Sequence, residues 1–493
     1  MATLYTDRSA PVVLRARITT VAIAGLMLAL CGCTSLTPQS AAPVVKVPAA
    51  WSVTDVSVPS GTISLVEWWS RFGDPQLSTL VSQAMQSNTS VNTAKAALQQ
   101  ARALRDVSAA ALWPDVGVSA SAERSKSGHN NAVNNFTVGL DASWELDFFG
   151  VNRNALKASE ATVQASAASL GDVQISIAAE VALDYITLRG AQARLAIADD
   201  NLASQQETLQ ITQWRLQAGL VTSIEAEQAR ASEEQTSALL PVLQTSIEQT
   251  RHALAVLTGQ PPAALSTMLA AAGPVPQAAD DLALSFPAET LRQRPDVRAA
   301  EHQVTAAVAR VAQADAARLP NFSLSGSLGL NAATIGALSG GGAGVAALLA
   351  GVSMPLFDGG ALRAQVRAQQ AALDQSHLAY QATVLTALKD VEDALVALRG
   401  DRERLLRLQQ AAEAAGNAAL LARQRYSSGL VDFQVVLETQ RTQLNMQDSV
   451  ASASADLSAD HVRLYKALGG GWRPDSSEAK LSQTENPSLI SRP

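Results

Sequence analysis

Phe136-Thr137-Val138-Gly139-Leu140-Asp141-Ala142-Ser143-Trp144-Glu145-Leu146-Asp147-Phe148 alternates apolar and polar side chains without a break. A second stretch, Asn321-Phe322-Ser323-Leu324-Ser325-Gly326-Ser327-Leu328-Gly329-Leu330, does the same with smaller residues. Period-two alternation puts every apolar side chain on one face of a strand and every polar one on the other. In a soluble sandwich the apolar face meets a core. In an outer-membrane barrel it meets lipid, while the polar face lines water. The residues on either side decide between the two.

Downstream of Gly150 the pattern becomes helical and stays so to about Ala218. Leu188, Leu195, Leu202, Leu209 and Leu216 stand seven apart, and Ile175, Ala178, Val181 and Tyr185 extend the seam upstream. Such a heptad marks helices that supercoil around neighbours. Nearly 70 residues at 1.5 Å each make a rod of roughly 100 Å. Gly219 breaks it, a return helix is predicted from about Thr222 to Leu257, and Gly259 to Pro287 is a Pro- and Ala-rich connector. Upstream, helical period begins near Trp68, breaks around Ser87-Asn88, and resumes from about Val91 to Leu112. Pro114 opens another strand, with Val116, Val118, Ala120 and Ala122 on one face, and Glu123 to Asn135 reads as a surface loop.

The whole pattern then recurs. Val91 to Pro114 matches Val297 to Pro320, Leu188-Arg189-Gly190 returns as Leu398-Arg399-Gly400, and Gly219-Leu220-Val221 returns as Gly429-Leu430-Val431. The chain is therefore a tandem duplication of a helix-strand-strand-helix unit. Residues 61–280 form the first repeat, with strands near 114–124 and 136–149. Residues 281–472 form the second, with strands near 320–331 and 344–357 around the glycine-rich loop Gly340-Gly341-Gly342. Residues 473–493 are a polar tail without period.

At the amino end, Arg8, Arg15 and Arg17 precede the apolar run Ile18 to Leu30, which ends in Leu30-Cys31-Gly32-Cys33. A basic region before a short apolar one reads as a secretory signal over residues 1–32, too short to span as a helix. Leu30, Gly32 and Cys33 resemble a bacterial lipobox with Cys33 as the modified residue, although Cys31 is unusual at its middle place. The resemblance implies a diacylglycerol and an N-acyl chain on Cys33. Residues 33–60, rich in Ser, Thr, Pro, Ala and Val, are expected to form a lipid-anchored linker.

The chain's 37 Lys+Arg against 44 Asp+Glu give a formal charge of −7, which gives no reason to expect a nucleic-acid partner. No window of eighteen consecutive apolar residues occurs, so no transmembrane helix is predicted. Four membrane-type strands cannot close a barrel, and an open edge in lipid leaves unpaired backbone groups at several kcal/mol each. Two copies would supply about eight strands and a filled interior, whereas three would supply about twelve and leave a lumen. The fold expected is mostly α with membrane β: a trimeric twelve-stranded barrel continuous with a helical tunnel. A soluble sandwich is the weaker reading, because four short strands separated by long helices make a poor core.

Several stretches bear a resemblance. They are Glu67-Trp68-Trp69-Ser70-Arg71-Phe72-Gly73-Asp74-Pro75, Trp144-Glu145-Leu146-Asp147-Phe148-Phe149-Gly150, Arg294-Pro295-Asp296-Val297, Pro355-Leu356-Phe357-Asp358-Gly359-Gly360 and Leu468-Gly469-Gly470-Gly471-Trp472. Together they resemble the TolC-type outer-membrane efflux proteins, specifically the NodT-type lipoprotein branch. The resemblance implies a homotrimer in outer-membrane lipid that works with a periplasmic adaptor and an inner-membrane resistance-nodulation-division pump.

No catalytic constellation is legible, and the chain is not expected to be an enzyme or to hold a cofactor or metal. His129, His252, His302, His377 and His461 are scattered and read as surface residues. No glycine loop ends in Lys-Ser or Lys-Thr, so energy must come from a partner. The informative positions are the two helix-hairpin tips. Gly219 and Gly429 sit where long helices reverse, and Tyr426, Asp432 and Glu438 lie around the second tip, with Thr222 at the first. In the family, tip residues close the periplasmic entrance through hydrogen bonds and ion pairs. The matching positions are Tyr426, Gly429 and Glu438. Val431 and Val435 depart from relatives that are polar there, and the first tip is expected to dock on adaptor helices or neighbouring tips. The expected function is a passive efflux duct that opens at its periplasmic tips. The alternatives are an exit duct for an ATP-binding-cassette protein-secretion system and a non-conducting envelope scaffold.

Overall fold

Asp74 opens the first helix, its carboxylate accepting from the N–H groups of Gln76 (2.8 Å) and Leu77 (3.1 Å). Pro75 at the first helical place has no N–H to leave unpaired. This helix, α1 (Pro75–Ser87), ends at Asn88, whose side chain caps α2 (Thr89–Ala110) through Ser90 and Val91. The computed structural model describes residues 46–52, 65–128, 131–278 and 287–472. Cys33, the signal, most of the expected linker and the polar tail lie outside the described residues, as does His129.

After α2 come strands β1 (Asp115–Ser125) and β2 (Val133–Leu146), then helices α3 (Val151–Gln217), α4 (Ser223–Ser237) and α5 (Leu239–Leu257). The second copy follows as α6 (Pro287–Gln293), α7 (Pro295–Ala316), β3 (Asn321–Ala332), β4 (Gly344–Ser353), α8 (Ala361–Ser427) and α9 (Phe433–Ala467). The duplication is visible in the long helices, since α3 and α8 are each 67 residues.

The copies differ in one respect that a heptad count does not show. The return helix of the first copy is divided at Ala238, because Pro241 has no N–H for the Ser237 carbonyl and its ring crowds that turn. With no proline, α9 runs unbroken for 35 residues. Two strands also end earlier than expected, and β2 begins earlier too, at Val133 inside the stretch read as a surface loop. β4 stops at Ser353 rather than Phe357 because Pro355 cannot donate to a ladder. β2 stops at Leu146 because Asp147 turns to cap α3, accepting from the N–H groups of Asn152 (3.1 Å) and Arg153 (2.8 Å).

The four strands form one antiparallel sheet in the order β1-β2-β3-β4. Its central pair, β2 with β3, joins the two copies, with Leu140 opposite Leu328 and Trp144 opposite Leu324. The helical core lies at mid-length of the rods. Trp68 stacks on Tyr465 (5.4 Å, 24°) among Leu77, Leu80, Leu188, Leu254 and Val462. Each such side chain contributes about 1.5–3 kcal/mol on full burial. The buried Arg189 is satisfied within this core. Its guanidinium donates to the Ala271 carbonyl (2.7 Å), the Gln192 side chain (2.8 Å), the Tyr185 hydroxyl (2.9 and 3.0 Å) and Gln76. Tyr185 donates in turn to Asp74 (2.7 Å). Burial, and then that hydrogen bond, push the Tyr185 hydroxyl up to about 12.

Two surface expectations fail here. Trp51 is 8% exposed, wedged among Val391, Leu395, Leu464 and Leu468, and the Ser52 N–H donates to Glu392 (2.9 Å). Residues 46–52 are therefore a docked strap and not a free linker, a role that a lone tryptophan outside any period does not announce. His461 is buried as well, with Nδ1 2.9 Å from the Leu457 carbonyl.

The Gly469-Gly470-Gly471-Trp472 ending fastens the chain. The Gly471 N–H donates to the Leu65 carbonyl (2.9 Å), and the Trp472 ring lies flush against Gly171. A Cβ on Gly171 would stand 2.5 Å from that ring. Gly171→Ala should therefore lower thermal stability by about 1–3 kcal/mol, the usual cost of overpacking, and expose Trp472 to a fluorescence quencher.

Candidate functional site

The register assigns every strand residue to one of two faces. Val116, Val118, Val138, Leu140, Leu328, Leu348 and Val352 share one face, and all are exposed. Exposed valines and leucines aligned over four strands have only lipid as a suitable solvent. β2 carries this face from Phe136 to Leu146, a band of roughly 25 Å once the strands tilt. Aromatic residues gather at the helix-side end, where Trp113, Phe148 and Phe357 are exposed and Phe148 packs edge-on against Phe322 (5.0 Å). Such a belt marks the level of lipid headgroups.

The opposite face is concave, lined by Asp115, Asp141, Ser143, Ser325, Ser327 and Leu349. Four carboxylates stand on it, Asp115, Glu123, Asp141 and Glu145, with no Lys, Arg or His among the strand residues that share their facing. Ser119 donates to Asp141 and holds that carboxylate in place. β4 is the exception to a face of small polar residues, since it presents Val345, Ala347 and Leu349 on this side.

At the far end of the rods the two tips share one construction. Gly219 (φ 69°) and Gly429 (φ 72°) take the left-handed conformation that reverses the chain at no steric cost. In the first tip, Gly219 N–H donates to Leu216 (3.0 Å) and Leu220 N–H to Arg215 (2.8 Å). In the second, Gly429 N–H donates to Tyr426 (3.0 Å) and Leu430 N–H to Arg425 (2.9 Å). Both are helix ends closed by the paired 6→1 and 5→2 bonds. Arg215 ties one tip to the other. Its guanidinium lies over the Tyr426 ring (4.6 Å) and donates to the carbonyls of Tyr426 (3.5 Å) and Ser427 (3.3 Å), where the negative end of α8 favours a cation.

Arg215 is the last member of a line on α3. Arg194 pairs with Asp448 through two contacts (2.6 and 3.2 Å), and Asn201 donates to Gln447 (2.8 Å). Thr208 accepts from Gln440 (3.1 Å). Residues 194, 201, 208 and 215 stand seven apart, so one polar stripe joins the first hairpin to the second over some 21 residues, roughly 30 Å.

The family model for outer membrane efflux proteins matches residues 80–260 and 286–470. The chain belongs to the outer membrane efflux protein family. It is 32% identical over 466 residues to the pyoverdine export outer membrane protein OpmQ of Pseudomonas putida, covering 92% of this chain and 97% of that one. Nodulation protein T of Rhizobium leguminosarum bv. trifolii is 30% identical over 457 residues, 91% and 96% of the two chains. Among solved structures, the outer-membrane channel OprN superposes with a TM-score of 0.82 at 36% identity, covering 88% of this chain and all of OprN. The fold is that of the TolC-type channels, a β-barrel continuous with a helical tunnel, and the chain is an outer-membrane protein.

Within this efflux protein the sequence-chosen residues have different surroundings. Tyr426 packs on Phe433 (5.3 Å) beneath Arg215, and its hydroxyl is buried without a hydrogen-bond partner among the described residues. Gly219 and Gly429 make the turns. Thr222, Asp432 and Glu438 are exposed, and neither carboxylate has an ion pair among the described residues. Sequence reading missed the stripe of Arg194, Asn201, Thr208 and Arg215. The signal lies one place before Leu195, Leu202, Leu209 and Leu216, at the same seven-residue spacing as the leucines. Arg215→Ala should raise hydrogen exchange in the 425–432 turn by losing two carbonyl contacts and the ring contact, whereas Tyr426→Phe should leave it unchanged.

Proposed function

We propose that this efflux protein is a passive duct for small molecules, closed by three copies of the chain and opened at the periplasmic helix tips. The observation that carries the reading is a sheet with opposed faces and two unpaired edges, β1 and β4. Unpaired edges in lipid cost several kcal/mol per backbone group, so β4 of one copy must pair with β1 of the next. An even strand number makes that junction antiparallel like the others. Three copies give about twelve strands, wide enough to leave a lumen that rods of roughly 100 Å can continue. The chain offers no energy source, and the family resemblance supports a periplasmic adaptor and a resistance-nodulation-division pump as partners.

In this reading Arg215 and the polar stripe hold the second hairpin against the first until a partner competes for the tips. The exposed Leu220, Ile224 and Leu430 give that partner an apolar contact. The lipid on Cys33 suits the docked strap. Val47 lies fourteen Cα steps beyond Cys33, a reach of up to about 50 Å, while the 22 residues of α7 rise only about 33 Å to the strands.

The test is conductance across a planar lipid bilayer. The mature protein should give stepwise currents that favour cations over anions, because the inward strand faces carry carboxylates alone. Asp141→Asn with Glu145→Gln should lower that preference, and Arg215→Ala should raise the fraction of time spent open. A folded protein that inserts and conducts nothing would leave the scaffold reading. A crosslinked pull-down from intact envelopes that recovers an ATP-binding-cassette exporter would shift the reading to protein secretion.

A further inference from the structure

Asp460 on α9 is 1% exposed. Arg463, one turn along, occupies one of its oxygens. The other oxygen is buried and meets no donor, because the group beside it is a second carboxyl, Asp401 of α8. One guanidinium nitrogen of Arg404 reaches both Asp401 (3.4 Å) and Asp456 (3.3 Å), one turn before Asp460, and so sets Asp401 against this stretch of α9. Two ionised carboxylates in contact are two acceptors, so the contact becomes a hydrogen bond only when one of them carries a proton.

Among the described residues, the cations that pair with these two carboxyls are Arg463 on Asp460 and Arg404 on Asp401. The connector on the same turn, where Ser458 donates to the Pro276 carbonyl, has no ionisable side chain between residues 271 and 278. A cavity of 400 Å³ opens beside the pair, bounded by Asp172 of α3, Asp296 of α7, and Asp390 and Asp393 of α8. Of the cations that line it, Arg294 is engaged with Asp296 (2.7 Å) and Asp390 (3.3 Å), while Lys389, outside the lining, holds Asp393 (2.6 Å). Lys466 of α9 lines the same cavity and draws on Asp172. The neighbouring His461 directs Nδ1 at the Leu457 carbonyl.

We propose that Asp401 and Asp460 share one proton across the α8–α9 contact, so that acidification fastens the root of the second-copy hairpin. The proton comes from solvent, sits on one carboxyl oxygen and is donated to the other carboxylate. Burial first, and the shared contact with Asp401, hold Asp460 above its ordinary carboxyl range despite Arg463. Burial, and then Asp296, do the same for Asp172 across the cavity. A carboxyl whose folded form binds its proton more tightly than the unfolded chain adds stability at low pH, and loses it as pH rises through the folded value.

The test is hydrogen–deuterium exchange of the mature full-length protein in detergent at about pH 4.5, just above the ordinary carboxyl range, and about pH 7.5, corrected for the intrinsic rate. Amides around residues 401 and 460 should exchange several-fold more slowly at the lower pH. Asp460→Asn, whose amide donates at every pH, should be slow at both. If that variant fails to fold, Asp401→Asn at the more exposed partner should give the same flat response. Equal protection of the natural protein at both pH values, or a folded amide variant that keeps the full pH dependence, would overturn the proposal. The readout requires no conduction, so its failure leaves the duct reading untouched.

Discussion

A four-stranded sheet with two bare edges and an apolar outer face cannot exist alone in either of its solvents. Water penalises Val118, Leu140 and Leu348, and lipid penalises the unpaired backbone of β1 and β4. Only closure with other copies meets both demands, and the rest of the molecule is compatible with it. The central β2–β3 pair fuses the two halves of the duplication into one continuous wall segment, so each chain contributes a single piece. The carboxylates collect on the concave side, where water remains, and the aromatic belt collects where strands give way to helices.

The helices carry a gradient in packing. At mid-length, Trp68, Tyr185, Leu188 and Tyr465 make a dense core into which even the buried Arg189 is fully hydrogen-bonded. Toward the tips the α3 seam changes from apolar to polar, with Leu188 wholly buried and Leu216 at 36% exposure. Polar seams specify register while contributing little net stability, because separated partners recover hydrogen bonds from water. A rod that is tight at its root and polar at its end is suited to movement at the end. The Ala238 break in the first copy and the unbroken α9 in the second make the two hairpins mechanically unequal.

Much of this was legible in the sequence, for definite reasons. Alternation and heptads are periodic, so the strands, the long helices and the duplication could be read from spacing, and the glycines at the tips are demanded by a left-handed turn. Contacts without a period could not. The strap held by Trp51 and the Gly171–Trp472 contact each depend on residues far apart in the chain. The strand does not reach the expected end at Phe357, because alternation continues through Pro355, where donation to the ladder cannot. At the candidate site, Arg215 and its stripe had the right spacing, but only folding shows that this face meets the second hairpin rather than solvent.

Closure is the claim on which the account rests, and the mass of the detergent-solubilised complex tests it most directly. Native mass spectrometry of the mature protein should give three copies of the chain as the single dominant species, persisting at dilution. A folded monomer, or a stable dimer, would contradict the account, because neither one copy nor two can close these strands around a lumen.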